Sequence, residues 1–189
     1  AYYVSDCGAE TLAIKIDNAT AIAGTVAGTY WFLMLIGRLT GAAIGSKVSA
    51  KAMLAVVSSV GLILTLGAIF LNPETMVNLP VFKGTAGFGM ASVPVNAALL
   101  VLCGLCTSVM WGGIFNLAVE GLGKYTEKAS GIFMALVCGG GILPLLQNGI
   151  VDWTDDFLTS YWVVIAGLAY MLFYALVGSK NVNKDIPTE

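Results

Sequence analysis

The sequence contains no histidine, and only 11% of its residues carry charge. Without histidine the short pair Cys103-Gly104-Leu105-Cys106 has nothing to complete a metal site. With no second pair and no strand-to-helix setting it also lacks the context of a redox pair. Small residues packing on one helical face is the simpler reading, and no metal or cofactor is expected. The four cysteines, Cys7, Cys103, Cys106 and Cys138, all lie in apolar runs, which excludes a disulfide framework. Nine lysines and arginines against eleven aspartates and glutamates leave a net charge of -2. That balance is too small and too dispersed for nucleic acid or an acidic partner surface. Ala1 is preceded by no initiator methionine and begins no basic, apolar, small-residue leader, so the chain is expected to start partway through something longer.

What fills the space is apolar. Hydrophobic residues make up 58% of the chain and mean hydropathy is +0.87, far from the balance of a soluble domain. The expected fold class is an all-α membrane protein, a bundle of six transmembrane helices. The six spans are read at residues 1–18, 21–45, 52–71, 95–119, 129–151 and 159–178, followed by a tail at 179–189. Each matches the ~20 residues that cross about 30 Å of hydrocarbon, except the first, which is short and polar. Residues 72–93, broken by Pro73, Pro80 and several glycines, read as an exposed loop with room for a short interfacial helix.

The stretch from Gly37 to Lys51 joins two apolar runs and clusters three cations, Arg38, Lys47 and Lys51. A charge in hydrocarbon costs several kcal/mol, so this turn belongs at a membrane surface, and the preference of Lys and Arg for cytoplasmic loops puts it inside. Lys124, Lys128, Lys180 and Lys184 then also fall inside, while Asp17, Glu74, Asp152, Asp155 and Asp156 fall outside with Lys15 and Lys83. The C-terminal tail is accordingly expected in the cytoplasm. Glycines at 24, 28, 37, 41 and 45, spaced mainly by four, allow close helix packing.

Polar groups within spans must find partners or face water, which makes them candidates for function. Asp6 and Glu10, four apart, share a helix face; they read either as a cavity-facing acidic pair that binds sugar hydroxyls or protons, or as solvated groups pairing with a cation such as Lys15. Trp111 and Asn116, with Phe115 one turn after Trp111, read as an indole that stacks on a sugar ring beside an amide, or as plain packing. Gly139-Gly140-Gly141-Ile142-Leu143-Pro144 weakens the fifth span and places Gln147 and Asn148 near a break. There they would reach a ligand or a neighbouring backbone. Glu120 and Lys124 are spaced for a surface ion pair.

Taken together, Gly37-Arg38, Gly41, Lys47, Ser49 and Lys51 resemble the cytoplasmic loop motif in the second half of a major facilitator superfamily transporter. Trp111 to Phe115, Gly121-Leu122-Gly123-Lys124-Tyr125-Thr126 and Gly139 to Gln147 resemble, more narrowly, the fucose, glucose and galactose permeases. The resemblance implies helices 7 to 12 of a twelve-helix proton symporter in the bacterial inner membrane, moving a neutral monosaccharide by alternating access against a missing N-terminal half. It implies no enzyme activity. The polar residues of the spans, Asp6, Glu10, Trp111, Asn116, Gln147 and Asn148, are the expected substrate-binding set, and the resemblance makes Gly37, Arg38, Gly41, Lys47 and Lys51 a cytoplasmic gating motif, the plainer alternative being that these cations only anchor orientation. Asn116 stands where relatives often have proline, the 72–93 loop is long for the family, and Ser5-Asp6-Cys7 departs from its usual start. A membrane scaffold, or a facilitator of another substrate class such as a drug exporter, stands as the alternative.

Overall fold

Backbone N–H and C=O groups cannot go unpaired in hydrocarbon, so apolar stretches fold as helices. The computed structural model describes residues 19–83 and 87–180, with side chains from Ile22 onward. Among these residues five segments are long and apolar enough to cross a membrane: Ile22–Gly45, Ala50–Phe70, Val95–Val119, Gly123–Thr154 and Phe157–Gly178. They are built from α1 (Ala19–Gly45), α2 (Ala50–Phe70), α3 (Val95–Val119), α4 (Thr126–Leu136) with α5 (Gly139–Thr154), and α6 (Phe157–Ser160) with α7 (Trp162–Phe173). The chain is an integral, multi-pass helical membrane protein. The expected first span, residues 1–18, lies outside the described residues.

α3 is the centre of the bundle, packing on α1 along one side and α2 along another, with α7 against α2. The α1–α3 contact is made by glycine. A Cβ on Gly37 would strike Ser108 Cβ at 2.8 Å and the Leu105 carbonyl at 2.9 Å; one on Gly41 would overlap Val109, and one on Gly104 would lie 2.8 Å from the Tyr30 carbonyl. On the other side Leu54, Cys106, Met110, Leu168 and Ala175 form a buried cluster joining α2, α3, α7 and the helical turn Tyr174–Gly178 that follows it. α1 and α2 meet through a tight turn in which Ser49 caps α2, its Oγ accepting from Ala52 N at 3.3 Å. Aromatic residues collect at the opposite end, where Phe70 and Trp162 meet edge to face at 6.4 Å, as expected at a membrane–water boundary.

The segment read as a loop is instead a β-hairpin, β1 (Met76–Phe82) and β2 (Phe88–Pro94), paired antiparallel with Pro80 opposite Met90 and Val81 opposite Gly89. Proline was the misleading signal. The pairing bonds Lys83 N to Gly87 O and Val95 N to Thr75 O fall at odd positions of the first strand. Pro80 therefore sits at a non-hydrogen-bonded position, where its missing N–H breaks no rung. Val77, Leu79 and Val81 alternate onto one face, and Val81 with Val93 is buried against Val26, Ala98 and Val101. Phe82 N, pointing away from its partner strand, donates to Thr29 Oγ1 of α1 at 2.8 Å, and Phe82, Phe88 and Phe32 pack with centroids 5.2 to 5.5 Å apart. At the base of the hairpin Asn96, fully buried, donates through Nδ2 to the carbonyls of Ala68 and Leu71, closing the end of α2.

The break in the fourth described span also falls elsewhere than expected. It lies at Val137–Cys138, where the bonds shorten to Val137 N→Met134 O and Cys138 N→Ala135 O, and the three glycines with Pro144 lie inside α5. Restarting the helix at Gly139 brings Pro144 into the second turn of a new helix, nearer the end where a missing N–H is tolerated. The expected Glu120–Lys124 ion pair does not form. α3 ends at Val119, and Gly121 and Gly123 take positive φ, so the two residues no longer lie one helical turn apart. Lys124 instead lies over the Tyr125 ring at 5.6 Å.

The glycine contact gives a direct test. Gly37→Ala and Gly41→Ala should each lower the thermal stability of the detergent-purified protein, by about 1–3 kcal/mol if α1 must move off α3. Gly24→Ala, with nothing within 4 Å of the added methyl, should leave it unchanged or slightly raised.

Candidate functional site

The close approach of α1 and α3 leaves a cavity of about 290 Å³ between α1, α2, α3 and the start of the last span. Its walls are apolar, with a few polar groups turned inward: Tyr30, Thr65, Cys103, Thr107 and Tyr161. Tyr30 Oη and Thr107 Oγ1 are 3.1 Å apart and share a hydrogen bond across the α1–α3 contact. Thr65 Oγ1 donates to Gly61 O at 2.8 Å and lies 3.7 Å from Cys103 Sγ. Hydroxyls donate and accept without carrying charge. A cavity lined this way suits a neutral, hydroxyl-bearing molecule better than an ion, and its volume lies at the small end of ligand sites.

Cys103 figures in the sequence only as half of the rejected Cys-x-x-Cys pair, and the four hydroxyl residues lie outside the expected binding set. Their signal is present, since hydroxyls in apolar runs must find partners, but amides and an indole are the more conspicuous groups. Of the residues expected to bind substrate, Asp6 and Glu10 lie outside the described residues. Trp111 is 45% exposed and packs on Phe133 of α4, with ring centroids 5.2 Å apart. Phe115, on the same helical face, meets the same ring at 5.4 Å. Asn116 is exposed too, but a separation of five residues turns it about 140° around α3 from the indole. The two do not face one site within this bundle.

Gln147 Nε2 donates to Ser160 Oγ at 3.2 Å, and the buried Ser160 donates in turn to Phe157 O at 2.7 Å. This ties α5 to the short helix α6 just before cavity-lining Tyr161. Gln147 also borders an open apolar depression of about 420 Å³ between α5 and α7. Asn148, next to it, is exposed. Trp111 and Gln147 thus belong to separate contacts, one joining α3 to α4 and the other α5 to α6. Gly37 and Gly41 serve the α1–α3 packing, while Arg38 and Lys47 are exposed and Lys51 is half-buried at the turn.

Comparison with known proteins adds a direction. A protein of Brucella abortus (strain 9-941) named glucose/galactose transporter is 41% identical over 78 residues, which is 41% of this chain and 19% of that relative. The resemblance is to sugar transporters. A Helicobacter pylori (strain J99) protein, provisionally named a glucose/galactose transporter, is 28% identical over 156 residues, 80% of this chain and 33% of its own length. Its counterpart in strain 26695 is 26% identical over the same coverage. The chain thus spans a third or less of the length of these curated relatives. No family model matches the chain, and no solved structure does. The relatives are named as transporters, which are not enzymes.

The Tyr30–Thr107 bond can be measured alone. Side-chain hydrogen bonds between membrane helices average about 0.6 kcal/mol in double-mutant cycles. A cycle of Tyr30→Phe and Thr107→Val, read by reversible unfolding in mixed micelles, should give a coupling of that order. Additive effects would remove the bond from the account.

Proposed function

We propose that the chain is the C-terminal half of a major facilitator superfamily sugar transporter, helices 7 to 12, which moves a neutral monosaccharide of the glucose, galactose or fucose class together with a proton. The observation that carries this reading is the match to proteins named glucose/galactose transporters along 80% of the chain, where the chain amounts to 33% of their length. The uncovered side of the bundle supports it. The span Gly123–Thr154 has none of its most apolar window buried, although Gln147 and Pro144 lie on it, and the neighbouring face of α3 leaves Trp111 half open. In a twelve-helix transporter the substrate sits between two such halves near mid-membrane. Trp111, Asn116, Gln147 and Asn148, with Asp6 and Glu10, are proposed as this half's contribution to the site.

Transport then proceeds by alternating access. The two halves rock about the bound sugar, and the hydroxyl-lined cavity lies within the moving body. An indole can stack on the apolar face of a pyranose while amides donate to and accept from its hydroxyls. Among the described residues every carboxylate lies near a helix end or in a connection: Glu74, Glu120, Glu127, Asp152, Asp155 and Asp156. Under this reading the proton carrier belongs to the other half or to residues 1–18. Orientation follows from charge: the end carrying Arg38, Lys47, Lys51, Lys124, Lys128 and Lys180 is proposed as the cytoplasmic face of an inner membrane, with the C-terminus on that side.

The test is uptake of labelled glucose, galactose and fucose by cells making the intact transporter, with Trp111→Ala and Gln147→Ala. Each substitution should reduce uptake tenfold or more at unchanged surface abundance. Normal uptake in both variants would take these residues out of the binding site. Stabilisation of the protein by cationic drugs and not by sugars would favour an exporter instead. The isolated chain in proteoliposomes should transport nothing, since one wall of the pathway is missing.

A further inference from the structure

The cavity between α1, α2, α3 and the start of the last span has more hydrogen-bonding capacity than its own walls use. Thr107 Oγ1 donates to Gly104 O at 3.3 Å. That makes Tyr30 Oη the donor of the bond the two hydroxyls share and leaves the Tyr30 oxygen open as an acceptor. Thr65 Oγ1 has likewise given its proton to Gly61 O and can still accept. Tyr161 is the reverse case. Its Oη hydrogen-bonds to no described residue, although its phenol comes within electrostatic reach of Cys103 and Tyr30. An unpaired hydroxyl inside a span is costly. Every described lining residue is buried or half-buried, so the room for a partner to Tyr161 is the cavity itself.

We propose that this cavity binds one neutral polyol, no larger than a single monosaccharide, at a site separate from the open face of Trp111. One open donor, on Tyr161, set among open acceptors, on Tyr30 and Thr65, is the complement of hydroxyl groups, each of which both gives and takes a hydrogen bond. An anion would meet acceptors, and a cation would find no carboxylate among the described lining residues. A cluster of waters, each seeking about three hydrogen bonds, would have to bond largely to itself against Val26, Leu100, Val101 and Val164. A polyol turns its C–H groups to those side chains and its hydroxyls to the polar ones, the mixture that ligand sites share. The volume of about 290 Å³ sets the upper size. The wall is held from behind, since Val26 and Val101 also pack on Val81 and Val93 of the hairpin. Trp111, Asn116, Gln147 and Asn148 are not among the residues that line this cavity, so the site does not depend on the reading of those residues as sugar contacts.

Protection of Cys103, which lines the cavity, reads its occupancy in the intact protein. With every other cysteine replaced by serine or alanine, Cys103 should react with methyl methanethiosulfonate, a small uncharged thiol reagent. Saturating galactose or sorbitol should slow that reaction severalfold. Gluconate and N-methylglucamine, an anionic and a cationic polyol of similar size, should not, nor should the disaccharide lactose. Tyr161→Phe, which removes one oxygen and keeps the ring, should weaken the protection roughly fivefold while leaving the unprotected rate unchanged. Trp111→Ala should alter neither, so its effect on uptake and the effect of Tyr161→Phe on protection report on different sites. Protection by the charged polyols or by lactose overturns the proposal, and so does protection by neither neutral polyol, which would mean a cavity that holds water only. Protection that vanishes in Trp111→Ala or survives undiminished in Tyr161→Phe, or a Cys103 that never reacts, overturns it as well.

Discussion

Close approach of the α1 and α3 backbones is the constraint on which the rest of this bundle depends. In hydrocarbon there is no hydrophobic drive to bring helices together, so association rests on dispersion contacts and on hydrogen bonds that only near-touching helices can make. Gly37, Gly41 and Gly104 remove the side chains that would hold α1 and α3 apart. From that contact follow the Tyr30–Thr107 bond and the cavity beside it. The hairpin is seated by the same helix: Thr29, one residue before Tyr30, accepts from Phe82 N.

The bundle is unequal around its axis. α1, α2, α3 and α7 share buried clusters, whereas the span from Gly123 to Thr154 is carried by a few contacts: Phe133 against Trp111 and Phe115, and Gln147 on Ser160. A long, largely apolar segment covered by little of its own chain is at home against lipid or against further helices. The proposed transporter half would use such an arrangement, its inner elements holding shape while one face meets the other half and slides against it.

The fold class was legible because composition alone decides it: a chain this apolar and this poor in charge has no soluble solution. The helical spans were readable for the same reason, as long runs without a helix breaker. What misled was local. Pro80 and Pro94 read as breakers, yet in a two-stranded ribbon both fall at positions whose N–H has no rung to make, and the period-2 pattern of Val77, Leu79 and Val81 is short and interrupted by Asn78 and Pro80. Gly139 to Pro144 marked a weak helix correctly but not where it breaks, because a proline's cost depends on its distance from the helix start. For the site, the spacing of Trp111 and Asn116 suggested proximity that helical geometry denies. The hydroxyls of Tyr30, Thr65, Thr107 and Tyr161 became a group only when four separate segments were brought together, and no sequence spacing records that.

The central claim, that the open face bearing Trp111 meets a sugar, is tested most directly by substrate protection. In the intact protein, with its native cysteines replaced by serine or alanine and Trp111 kept, Gly112→Cys, beside the indole at an exposed position where an added Cβ meets nothing within 4 Å, would be exposed to a small, water-soluble thiol reagent with and without saturating galactose or glucose. The account predicts that the cysteine reacts in the absence of sugar and is slowed severalfold in its presence. Modification at the same rate with and without every sugar tried, or no modification under any condition, would contradict it.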